Sequence, residues 1–202
     1  MISISDTYEF AYWRTIGKML RALASMNLNQ DSKYIIAFEE ALQQYKNTGS
    51  SLALSYFRVL LAQSYCFAGR YSQAYDLIDV SLVEMQAHKE GFFGPEVYRV
   101  KANIILASDH MESAAEENLL KALSLAKEQK SKSLELRAAT DLARLWQTQG
   151  KNADAISLMD NIMSQFTEGF KCKDWLRADL LMNTLKSGRS QQEPQQEHSE
   201  LA

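Results

Sequence analysis

The chain has 202 residues, 46% of them hydrophobic and 23% charged, with a formal net charge of −3. That length allows a sizeable core, the mild acidity excludes attraction to nucleic acid or anionic membrane through bulk charge, and no apolar run approaches the ~20 residues that span a bilayer. Two prolines and eight glycines leave few breakers, helix formers dominate, and nothing alternates apolar with polar residues, so the fold class is all-α.

Residues 6–26 read as a first helix, with Asp6 as N-cap and Phe10, Trp13, Ile16, Gly17, Leu20 and Leu23 facing inward. Asn27-Leu28-Asn29 turns the chain into a second helix over 31–45, with Ile35, Phe38, Ala41 and Leu42 as its apolar stripe, and residues 46–50 break it. A third helix over 51–67 ends at Ala68-Gly69-Arg70, and a fourth over 72–87 carries Ala74, Leu77, Ile78 and Leu82. After the loop at 90–95, Pro95 suits the first position of a fifth helix that runs to about Ala107. Further helices are predicted over 111–130, 133–149 and 153–166, and a ninth starts at Asp174 and ends near Lys186. Residues 187–202 are rich in Gln, Glu and Ser with almost nothing apolar, so disorder is expected there.

The helices repeat as pairs. Leu20, Ala62, Ala102 and Ala143 occupy one position of successive first helices, at intervals of 42, 40 and 41 residues. Periods of this size signify stacked helical hairpins. Within one pair the spacing is Ala62-x2-Tyr65-x3-Gly69-x-Tyr71-x2-Ala74: a small residue for close approach, an aromatic above it, a glycine to turn the chain, and another small residue to receive the returning helix. That pattern resembles the tetratricopeptide repeat. The expected architecture is a right-handed superhelix of about four such hairpins over residues 1–186, closed by the ninth helix as a cap, with 187–202 as an acidic tail.

The segments 46–78, 95–106, 132–159 and 166–185, including FTEGF and DWLRADLLMNTL, resemble the C-terminal helical arm of large bacterial signalling ATPases that carry a cyclase or winged-helix domain. The resemblance implies a sensor or protein-interaction arm. The GxxxxGK[ST] phosphate loop is missing from this chain, so the ATPase function does not come with it.

In tetratricopeptide arrays the first helix of each pair lines a concave groove, on the side away from its partner helix. Carried over, the positions are Arg14, Gly17 and Arg21, then Tyr56, Val59, Gln63 and Phe67, then Glu96, Arg99 and Asn103, then Arg137, Thr140, Arg144 and Gln147. Arginine rows suit carboxylates or phosphates, which they hold bidentately. Pairing with acids of neighbouring helices, such as Glu135 or Asp141, is the other reading of the same arginines, and both stay open. Phe92-Phe93, flanked by glycines, is expected to leave one ring exposed.

His88, His110 and His198 lie apart, Cys66 and Cys172 show no CxxC spacing, and no nucleophile or acid–base arrangement is visible. No metal, no cofactor and no enzymatic activity are therefore expected. No secretory signal is visible at residues 1–10, so a cytoplasmic protein is expected; the glutamates of 187–202 also resemble C-terminal export signals of bacterial effectors. The function expected is a scaffold or adaptor in bacterial signalling that binds a protein or peptide through an acidic or extended segment, with a homodimer left open. The alternative is a small-ligand or nucleotide sensor using the same arginines, or a secreted effector adaptor.

Overall fold

The computed structural model describes residues 2–29, 31–88 and 91–190, and every regular element among them is a helix. In chain order these are α1 Ile2–Thr7, α2 Ala11–Asn29, α3 Lys33–Asn47, α4 Leu54–Phe67, α5 Tyr71–His88, α6 Gly94–Ser108, α7 Glu112–Glu128, α8 Lys132–Thr148, α9 Asn152–Met163 and α10 Lys173–Ser190. The chain divides into two compact units, Met1–Met111 and Glu112–Ala202. Helix α10 runs through Ser190, so the predicted tail begins as helix; the remainder, 191–202, lies outside the described residues.

In the first unit α2 packs on α1 and α3, α3 on α4, α4 on α5 and α6, and α5 on α6. Polar contacts reveal direction. Tyr75 reaches Ser108 and Asp109 while Asp79 meets Lys101, so rising numbers on α5 meet falling numbers on α6 and the two are antiparallel. The core joins Met19, Phe38, Tyr45, Val59, Ala62, Ala74, Ile78, Val97 and Ile104.

The start of the unit departs from expectation. What reads as one helix over 6–26 is two, because Glu9 sits at φ 55° and Phe10 bonds back to the Ser5 carbonyl. The buried stripe of α2 is Thr15, Met19, Ala22 and Met26, at steps of four, three and four. Phe10 and Trp13 face water, and Leu20 is 43% exposed, so Leu20 does not fill the position given to it by the repeat. Ala62, Ala102 and Ala143 are each fully buried, as that position requires. The turn at 27–29 is also overtaken, since α2 continues to Asn29.

In the second unit α8 is central and packs on α7, α9 and α10, while α9 also meets α10. Trp146 bonds Glu116 and Gln149 bonds Glu112, which makes α7 and α8 antiparallel. Arg137 pairs with Asp174 and Asp141 with Arg177, numbers rising together, so α8 and α10 run the same way. Gly150, at φ 75°, lets the Lys151 amide reach the Trp146 carbonyl and close α8. Gly69 serves α4 in the same way, with Arg70 bonding Tyr65.

Candidate functional site

In the first unit the predicted groove residues separate by environment. Arg14 meets Asp6 of α1 at 3.5 Å. Arg21 is exposed and has no hydrogen bond or ion pair among the described residues. With Lys18 and Ser25 it forms one wall of a cleft of about 440 Å³, opposite Tyr34, Glu40 and Gln44 of α3. Lys18 donates to Gln44 Oε1 across it at 3.0 Å. Arg21 thus lies on the side of its partner helix α3, whereas the repeat reading places it on the side away.

Tyr56 is half-buried and stacks on Phe93 with centroids 4.5 Å apart. Phe92 meets Phe93 edge-on and stays exposed. Gln63 is exposed and Phe67 is 67% exposed, whereas Asn103 is half-buried. Arg99 is buried inside its own helix, where Nε and Nη2 donate to the two oxygens of Glu96 at 2.9 and 2.7 Å. It does not offer its guanidinium to solvent.

Two further ionic contacts are absent from the sequence reading. Arg58 of α4 is buried and pairs with Glu84 of α5. Tyr65 donates to Glu39 at 2.6 Å while the Arg70 guanidinium lies 4.3 Å above its ring. Burial first, and then the bond to the Glu39 carboxylate, push the Tyr65 hydroxyl up to about 12. Complementary pairs at separations of 26 residues carry no local signal; only the three-dimensional pairing of helices brings them together.

In the second unit the predicted face of α8 is covered in part by α10. Arg137 Nε donates to Asp174 Oδ2 at 2.7 Å, and Arg177 Nη2 donates to Asp141 Oδ1 at 2.9 Å. Asp174 therefore acts as an ion-pair partner, and α10 begins one residue before it, at Lys173. Phe166 and Phe170 pack on Trp175 and fix the entry to α10. Arg144, two turns beyond Arg137, is exposed and makes no hydrogen bond or ion pair among the described residues. Partial burial of its guanidinium, then the nearby Arg177 charge, lower its pKa, and Asp141 offsets only part of this. Gln147 is half-buried one turn further on. Arg177 belongs with these residues although sequence spacing did not select it; the signal available was the order Asp174-x2-Arg177, opposite in sign to Arg137-x3-Asp141.

Among the described residues no group of three or more His, Cys, Asp or Glu is gathered in a metal-binding arrangement, and no helix is long and apolar enough to cross a membrane. What the exposed arginines can do chemically is hold an anion. No family model matches the chain, and no curated protein matches it.

Proposed function

We propose that the chain is a non-catalytic, tetratricopeptide-like interaction module that holds an acidic or extended segment of a protein partner, in a bacterial signalling or regulatory setting. The observation that supports this best is the division among the arginines. Arg58, Arg99 and Arg137 are already answered by acids, whereas Arg21 in one unit and Arg144 in the other reach the surface without one. Two surface cations without acids suit charge-assisted bonds to carboxylates. The buried alanines at 62, 102 and 143, and the glycine turns at 69 and 150, support the kinship with helical-hairpin repeats.

A library of short immobilised peptides, probed with the whole protein, tests the reading. Acidic peptides should be retained, and Arg21→Glu with Arg144→Glu should weaken retention without lowering Tm, since neither side chain makes a hydrogen bond or ion pair among the described residues. Retention that ignores peptide charge, or that survives both reversals, would overturn it.

The cleft at Lys18 and Arg21 favours a second reading, a site for a small anionic ligand in the first unit; its volume of about 440 Å³ is in the range of small-molecule sites. Stabilisation of the protein by nucleotides or inorganic phosphate, abolished by Arg21→Gln, would support it, and an unchanged Tm with both would exclude it.

A further inference from the structure

Helix α10 buries Ala178, Leu181, Met182 and Leu185, and its exposed side, otherwise polar, carries two large apolar residues. Leu176 and Leu180 are one turn apart and 56% and 70% exposed. Arg177 follows Leu176 in the chain, so the exposed side of α10 sets an apolar pair beside a cation. Large apolar side chains exposed together beside polar groups are suited to being covered.

Two guanidiniums, Arg177 and Arg144, stand near this pair, with the exposed Asp179 as an acid on the same helix. Arg177 spends its Nη2 on Asp141, whose carboxylate is almost wholly buried, and its side chain remains 44% exposed. Arg144 stands near enough to feel the Arg177 charge and has no acid of its own among the described residues. Two neighbouring guanidiniums with one buried carboxylate between them repel each other, and an arriving anion relieves that repulsion.

We propose that Arg144 and Arg177, with Leu176 and Leu180 of α10, form the docking face for an acidic helical segment of a protein partner that presents a carboxylate one turn from an apolar side chain. This rests on the interaction reading above and assigns its contact surface to α10. The carboxylate spans the two guanidiniums, and the apolar side chain covers the leucines, in the manner of a helix laid against a helical face. A polyphosphate backbone fits less well, because it has no apolar side chain to cover Leu176 and Leu180.

The test is fluorescence anisotropy with a labelled synthetic peptide of roughly a dozen residues repeating Leu-Glu-Glu-Leu, long enough to lay several turns on the face. Control peptides replace every Glu by Gln or every Leu by Ser. Arg144→Gln and Leu180→Ser are the variants of choice, because both leave the Arg177–Asp141 pair intact and fold can be checked by Tm. Each is expected to raise Kd about fivefold to tenfold, and both control peptides should lose binding similarly. If the acidic peptide binds both variants as it binds wild type, while Arg21→Gln abolishes binding, this face is wrong and the interaction reading survives. If the peptide binds none of these proteins, and no acidic member of the peptide library is retained either, both fail.

Discussion

Among single side chains, what separates the arginines is whether an acid already answers them. Arg99 sits beside Glu96 with both heads out of water, so removing one breaks a buried ion pair. Arg99→Met should cost about 3 kcal/mol in urea denaturation, and adding Glu96→Gln should return part of it; a loss below about 1 kcal/mol would mean that the pair is not desolvated in solution. The cysteines divide in the same way. Burial pushes the Cys66 thiol above its usual pKa, so less thiolate forms at any given pH, whereas Cys172 is exposed. Iodoacetamide at mildly alkaline pH should therefore alkylate Cys172 first and Cys66 only on unfolding, read by peptide mass mapping; equal rates would contradict the burial of Cys66.

For the helices, the register of α2 is the sharpest case. The sequence reading put Phe10, Trp13 and Leu20 on the inner stripe, whereas packing against α3 buries the adjacent one through Thr15, Met19 and Ala22. Met19→Ala should lose about 2–4 kcal/mol by opening a cavity. Leu20→Ala should stay within about 0.5 kcal/mol. The reverse order in chemical denaturation would restore the sequence register. Helix ends make a second case. Lys130 closes α7 at φ 54°, with Ser131 bonding Ala126 just as Lys151 bonds Trp146 after Gly150. A lysine there carries strain that glycine does not, so Lys130→Gly should raise stability by about 0.5–1 kcal/mol, seen as a higher Tm.

For the whole molecule, a net charge of −3 sets the long-range field against an acidic partner, while the arginines act only at contact. Affinity for an acidic peptide should therefore fall several-fold as ionic strength rises from about 0.05 to 0.5 M, with most of the change in the dissociation rate. Stopped-flow mixing separates the two rates, and an affinity indifferent to salt would show that charge is not what holds the peptide.

The sequence by itself determined that the chain is helical and where most helices lie. The 3.6-residue spacing of apolar positions and the breakers at Gly49, Gly69 and Gly150 are local properties, and the observed bounds from α3 to α9 fall within a few residues of the predicted ones. It also determined the buried alanines at 62, 102 and 143, because a small residue recurring at one spacing is legible without coordinates. Tertiary structure decided which arginines remain available. Arg137, Arg144 and Arg177 look alike in sequence, and only the packing of α10 on α8 gives Asp174 to the first and Asp141 to the third and leaves the second without an ion pair among the described residues. Likewise Leu176 and Leu180 became a surface because α10 buries its other side. Helix formation depends on neighbours within a turn, whereas desolvation and ion pairing depend on residues tens of positions away.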